Sequence, residues 1–157
     1  MPCNTTHLLA DQIVAASAVP FLNAVEAASA EVTKNGAKVV GIIGSAVLER
    51  RTQYETPLER CGAKVIYPSD QARLPAGIKE AKSIGPTDLT RAVVGGAAAE
   101  LAVKNADCLL VACTEFSLMQ NEAELRSNVQ VANAMDVLVS ATHDCAKRWT
   151  PWDKCSD

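Results

Sequence analysis

The sequence predicts an α/β fold in which crossover helices cover a parallel sheet. Short apolar runs alternate with segments of helical periodicity along the 157 residues, which is the pattern that parallel sheets with crossover connections produce. Three runs are continuously apolar instead of alternating, as expected for strands buried on both faces. These runs are residues 37–44, 63–67 and 107–113, and a shorter run at 129–132 is a fourth candidate strand.

Helices are predicted between the strands from capping residues and apolar spacing. Asn23 is a suitable N-cap for a helix that ends at Gly36, and Thr87 is one for the segment 88–104. One face of that segment is predicted to carry Leu89, Val93, Ala97 and Leu101. Further helices are predicted for residues 48–60, 69–82 and 134–149. Pro57 is expected to kink or shorten the first of them.

Composition excludes several classes of protein. Hydrophobic residues make up 48% and charged residues 21% of the chain, values typical of a folded domain. The net charge of -3 argues against a nucleic-acid partner. No run approaches the roughly 18 consecutive apolar residues of a membrane span, and residues 1–7 lack the features of a signal peptide. We therefore expect a cytoplasmic protein whose six cysteines stay reduced.

Two segments, 2–5 and 109–115, each carry a cysteine followed closely by threonine. In the second, an apolar strand delivers Cys113 and Thr114 to its carboxyl end, where functional groups gather in open α/β sheets. The first segment resembles the same kind of loop, but no strand precedes it. We interpret the two segments as pseudo-symmetric counterparts, of which the first has lost its strand.

A pair of facing cysteines suggests a two-base site. Inverting a carbon stereocentre needs a base on one face of the carbon and an acid on the other, and thiolate and thiol are one group in two protonation states. The pKa of one thiol must then fall below its free value of about 8.5. Glu115 either orients Cys113 or is a helix N-terminal acid favoured by the dipole. For Cys61 and Cys108 we keep the simpler interpretation of a small buried hydrophobe.

Two other interpretations of the reactive side chains are weaker. His7 and Cys3 could act as base and nucleophile of a thiol hydrolase or amidase, but no third residue that orients them is evident. The spacing of His143, Cys145 and Cys155 matches no usual zinc pattern. We therefore expect no metal site.

The segments MPCNTTH at 1–7 and ACTEFSL at 112–118 resemble the two signature motifs of the aspartate/glutamate racemase family, within the cofactor-independent Asp/Glu/hydantoin racemase superfamily. The separation of the two cysteines is also similar to that in the family. The resemblance extends to residues 40–68, 76–85 and 131–142, so it covers nearly the whole chain.

This resemblance implies an amino-acid racemase that uses no cofactor, acts on aspartate or glutamate and is a homodimer. Its fold would consist of two similar Rossmann-like α/β domains with the active site between them. Cys3 and Cys113 would be the acid and the base of the proton transfer. The residues implied in substrate binding are Asn4, Thr5 and Thr114 for the α-carboxylate, Ser45 where members usually carry Thr, and Lys82 for the side-chain carboxylate.

The chain also departs from the family pattern. The N-terminal portion that supplies the first strand and its Gly-rich loop is expected to be absent. Leu48 stands where a hydroxyl residue is common, and Asn133 replaces an expected acid. Residues 22–128 would form the complete second domain, and residues 1–21 plus 129–157 a remnant of the first.

Three functions stay open on this evidence. They are racemisation of aspartate or glutamate, a related carbon-acid reaction such as hydantoin racemisation or malonate decarboxylation, and a truncated relative without catalytic activity. An incomplete first domain would leave a sheet edge and apolar surface uncovered. We therefore expect self-association or poor solubility of this chain alone.

Overall fold

A computed structural model describes residues 2–148 of the chain. Its centre is one sheet of four parallel strands, formed by Val39–Gly44 (β1), Lys64–Ile66 (β2), Cys108–Ala112 (β3) and Gln130–Asn133 (β4). The strand order is β2-β1-β3-β4, so β1 and β3 are the central strands. The α/β class and all four strand predictions are confirmed.

Helices lie on both faces of this sheet. The α-helices are Ala10–Ala16 (α1), Ala24–Thr33 (α2), Ala46–Arg50 (α3), Glu55–Arg60 (α4), Arg73–Ile84 (α5), Asp88–Val103 (α6), Gln120–Ser127 (α7) and Ala134–Arg148 (α8). Two 3₁₀ helices span Asn4–Leu9 and Phe116–Met119. The predicted helices over 23–36, 69–82 and 88–104 correspond to α2, α5 and α6.

The core consists of two apolar clusters, one on each face of the sheet. Ile43 and Val111 pack with α6 and Phe116 on one face, and Ile42 and Leu110 pack with α2 and α4 on the other. Because successive strand residues point to opposite faces and both faces are covered, β1 from Val40 onward and all of β3 are buried. This double burial explains why their sequences are continuously apolar.

The predicted caps are confirmed, and they fix where two helices begin. The Asn23 side-chain oxygen accepts hydrogen bonds from the backbone N–H groups of Val25 and Glu26 at 3.0 and 3.3 Å. Thr87 and Thr90 form a reciprocal capping box at the start of α6. Both caps satisfy backbone donors that have no partner within the helix.

Four expectations need correction. The predicted helix over 48–60 is two helices, α3 and α4, because the chain turns at Thr52, whose φ is 48°. Pro57 lies in the first turn of α4, where proline is tolerated, so it does not cause the break. Leu89 is 52% exposed, because the buried face of α6 begins at Thr90. Cys61 is exposed, whereas Cys108 is buried as expected.

Apolar side chains remain exposed on α1, on the segment after it and on α8. Val14, Val19 and Val139 are each more than half exposed.

The division into 22–128 and 1–21 plus 129–157 stays a prediction, although β4, beyond residue 128, pairs with β3 in the same sheet. Predicted self-association also stays a prediction. Cys155 lies outside the described residues.

Within the described residues, no helix is both long enough and apolar enough to cross a bilayer.

Candidate active site

The carboxyl ends of the two central strands lie side by side and deliver two of the predicted site residues. Gly44 is the register partner of Ala112, so Ser45 and Cys113 follow at the same edge of the sheet. A Cβ atom at Gly44 would lie 2.9 Å from the carbonyl oxygen of Ala112. Only a residue without a side chain permits this close approach of the two strand ends.

Cys113 is anchored at the end of β3 with 8% of its surface exposed. Its carbonyl oxygen accepts hydrogen bonds from both the backbone N–H and the hydroxyl of Ser117, each at 3.0 Å. Its thiol donates to a carboxylate oxygen of Glu115 at 3.0 Å. The backbone and the side chain of Cys113 are therefore both fixed by neighbours in the following turn.

Burial, followed by the hydrogen bond to Glu115, raises the pKa of Cys113 to about 12. Burial opposes ionisation of Glu115 too, but hydrogen bonds from Cys113 and from its own backbone N–H, together with Lys82, bring its pKa below the usual value. At neutral pH the pair is therefore a thiol beside a carboxylate.

Lys82 extends this arrangement to the protein surface. Its ammonium group, in the last turn of α5, lies 3.4 Å from the second carboxylate oxygen of Glu115. The Lys82 side chain is 64% exposed and that of Glu115 is 22% exposed. An ion pair so close to solvent contributes little to stability, so the lysine can exchange its partner at low cost.

The segment around Cys3 is held differently. Cys3 is exposed and immediately precedes the 3₁₀ helix Asn4–Leu9. Its carbonyl oxygen accepts hydrogen bonds from the backbone N–H of Thr6 at 3.1 Å and from Nδ1 of His7 at 2.9 Å. His7 thus binds the backbone of Cys3, and this arrangement does not favour a Cys-His hydrolase.

Asn4 is the anchor of this segment, with 5% of its surface exposed. Its side-chain oxygen accepts a hydrogen bond from the buried hydroxyl of Tyr54 at 2.6 Å. Its carbonyl oxygen accepts one from the side-chain amide of Gln53 at 2.5 Å. Thr5 is half-buried in the same helix. Gln53 and Tyr54, which precede α4, therefore fix the position of the first motif.

One hydrogen bond joins the two motifs directly. The hydroxyl of Thr114 donates to the carbonyl oxygen of Pro2, so the residues next to Cys3 and next to Cys113 are in contact. The structure in this way brings together two segments that lie far apart in the sequence.

The Ser45 hydroxyl oxygen accepts from the backbone N–H of Val47 at 3.3 Å and caps α3.

Two of the residues that depart from the family pattern have structural roles. Leu48 is fully buried among the side chains that include Tyr54, so it supports the core. Asn133, 6% exposed at the end of β4, accepts from the Ser117 hydroxyl at 2.8 Å and from the backbone N–H of Met135 at 3.0 Å. It connects the fourth strand to the turn that holds Cys113.

The sequence did not point to Gln53, Tyr54 or Ser117 as supports of the site. Gln53 and Tyr54 are separated from Asn4 by about fifty residues, and hydrogen bonds over such distances leave no local pattern. Ser117 lies four residues after Cys113, close enough for its hydroxyl to donate to the Cys113 carbonyl oxygen within one turn. Of the three supports, it is the one that a local sequence pattern could have indicated. Within the described residues, no group of three or more His, Cys, Asp or Glu side chains could hold a metal ion.

Comparison with known proteins defines the class. Residues 1–142 match the family described as Asp/Glu/hydantoin racemase. The chain belongs to the Asp/Glu/hydantoin racemase family.

Three solved structures show the same fold. An aspartate racemase from Picrophilus torridus superposes with a TM-score of 0.79 at 24% identity, over 94% of this chain and 61% of its own length. A putative Asp/Glu racemase from Yersinia pestis gives 0.78 at 26% identity, over 92% and 64%. An aspartate racemase homologue from Pyrococcus horikoshii gives 0.75 at 23% identity, over 92% and 64%. The present chain thus spans less than two thirds of these relatives.

Proposed function

We propose that this chain carries the two-thiol site of a cofactor-independent racemase that acts on aspartate or glutamate. Membership of the racemase family supports the reaction class. The observation that carries the proposal for the site is the hydrogen bond from Thr114 to Pro2. It joins the two cysteine motifs. A two-base reaction requires both thiols to lie near the same substrate carbon.

In the proposed reaction, one cysteine removes the Cα proton while the other supplies a proton from the opposite face. The Cα–H bond breaks as an S–H bond forms on the first thiolate, and the S–H bond of the second cysteine breaks as the new Cα–H bond forms. The two thiols exchange protonation states in each turnover, so the product enantiomer reacts in reverse from the resulting form. Cys113, whose raised pKa keeps it protonated, is suited to donate first, and the exposed Cys3 is its counterpart.

The predicted binding residues suit a substrate with a carboxylate. Tyr54 uses the side-chain oxygen of Asn4, so the amide nitrogen is the atom that would donate to the α-carboxylate. Hydroxyl groups of Thr5 and Ser45 are further donors of this kind. The hydroxyl of Thr114 donates to Pro2, so Thr114 would offer its backbone N–H. Lys82 supplies the positive charge for a second, side-chain carboxylate, which favours aspartate or glutamate over a neutral amino acid.

The test is conversion of each enantiomer of aspartate and glutamate, followed by chiral chromatography. Cys3→Ser and Cys113→Ser should each lower the racemisation rate by about 100-fold or more, the size expected for losing an acid–base group. Cys61→Ser is the matched control, because Cys61 is exposed and lies at the end of α4. Activity retained by either motif variant, or absent in the folded parent chain, would overturn the proposal.

A further inference from the structure

Glu115 occupies a position that the reaction above leaves unused. One of its carboxylate oxygens accepts the hydrogen bond of the Cys113 thiol at 3.0 Å, and the other faces the Lys82 ammonium group at 3.4 Å. A single carboxylate is therefore shared between a buried thiol and an exposed cation. Glu115 is the ionisable neighbour whose charge acts on Cys113.

We propose that Glu115 is a positioning residue that keeps Cys113 in its thiol form, and that Lys82 sets how strongly it does so. A carboxylate beside a thiol accepts the S–H hydrogen bond and repels the thiolate. The positive charge of the nearby Lys82 ammonium group partly offsets the negative charge of Glu115 and weakens the repulsion. The protonation of the Cys113 thiol therefore depends on whether the Lys82 ammonium group is paired with Glu115.

Through this coupling, an acidic substrate that binds Lys82 also affects the protonation of Cys113. This effect rests on the proposed function, in which the substrate's side-chain carboxylate binds Lys82. To bind there, that carboxylate must compete with Glu115 for the ammonium group. Once Lys82 has turned to the substrate, Glu115 regains its full charge and holds the proton on Cys113 more firmly. The thiol is then kept as the acid until a carbanion on the substrate removes its proton.

The first test measures the ionisation of Cys113 without turnover. Thiolate formation is followed by ultraviolet absorbance in a pH titration, each protein being compared with its own Cys113→Ser counterpart. Glu115→Gln should lower the titration midpoint of Cys113 by about one unit or more. Glu122→Gln is the matched control, because Glu122 forms a similar ion pair, 3.3 Å from Arg91, and is also 22% exposed. An unchanged midpoint in Glu115→Gln would overturn the proposal.

The second test is a double-mutant cycle read by alkylation. Iodoacetamide labelling of Cys113 at about pH 8, located by mass spectrometry, should be about tenfold faster or more in Glu115→Gln, because a pKa lower by one unit gives ten times more thiolate. Lys82→Met should slow labelling a few-fold. In the Glu115→Gln background, Lys82→Met should change little. An equal effect of Lys82→Met in both backgrounds would mean that the lysine does not act through Glu115.

Glu115→Asp keeps the proposal testable if Glu115→Gln does not fold. The shorter side chain retains the charge but withdraws the carboxylate from the thiol, so the midpoint should fall by less than in Glu115→Gln and still below that of the parent. A midpoint equal to the parent's would overturn the proposal. Because none of these measurements requires racemisation, their outcome is independent of the proposed function.

Discussion

Cys113 and Cys3 occupy matching places in the proposed reaction, but the protein holds them by different means. Cys113 directly follows β3, a strand whose residues are all buried, so the hydrophobic core fixes its position. Cys3 is exposed, and side-chain hydrogen bonds to Asn4 from Gln53 and Tyr54 hold its segment. The contrast shows that one motif depends on burial and the other on a few polar contacts.

The largest expected effect concerns the strand that supports Cys113. Leu110→Ala removes a fully buried side chain and should lower the free energy of unfolding by about 2 to 5 kcal/mol. Leu9→Ala, in the 3₁₀ helix after Cys3, removes a side chain that is 48% exposed and should cost less than about 0.5 kcal/mol. Urea denaturation of both variants measures the difference. Equal losses would mean that the Cys3 segment is also held by core packing.

A smaller effect is expected from the hydroxyl that holds Asn4. Tyr54→Phe leaves the buried side-chain oxygen of Asn4 without its donor, which should cost about 1 to 3 kcal/mol. Hydrogen exchange of residues 4–9 should accelerate, while that of β3 should change only as much as overall stability does. Tyr67→Phe is the control, because its hydroxyl contacts Glu55 at 3.4 Å and not the Cys3 segment. If residues 4–9 exchange as slowly in Tyr54→Phe as in the parent, another contact holds them.

The smallest effect is expected at the junction of the two regions. Thr114→Val removes the hydrogen bond to Pro2, and the net cost should be about 0.5 to 1.5 kcal/mol. Racemisation should fall by more than this loss of stability explains, because the two motifs would no longer be joined. Thr142→Val, which removes a hydrogen bond within α8, is the control. Equal activities of the two variants would show that the junction does not position the motifs.

The sequence predicted the region around Cys113, which the core holds, better than the segment around Cys3, which a few polar contacts hold. Continuous apolar runs identified the strands, and the capping residues Asn23 and Thr87 located two helix starts, because burial and capping leave local patterns. Both 3₁₀ helices and the helices α1 and α7 were missed. The helix over 48–60 was predicted as one piece because Thr52 carries no signal for a left-handed conformation.

For the site, the sequence identified the two cysteine motifs but not their supports. The roles of Tyr54 and Gln53 depend on contacts about fifty residues apart, and the choice between the two interpretations of Glu115 required the distance to the Cys113 thiol. Asn133 was a departure from the family pattern, yet its contact with Ser117 gives it a structural role. Long-range polar contacts of this kind follow from the fold and not from local sequence.

The most direct test of the proposed two-thiol chemistry is exchange of the Cα proton of L-aspartate and L-glutamate with deuterium, followed by NMR in deuterated water. The parent chain should exchange the proton, and Cys3→Ala and Cys113→Ala should both lose racemisation while Cys61→Ala keeps it. An absence of exchange in folded parent protein, or racemisation that survives removal of either motif cysteine, would contradict the account.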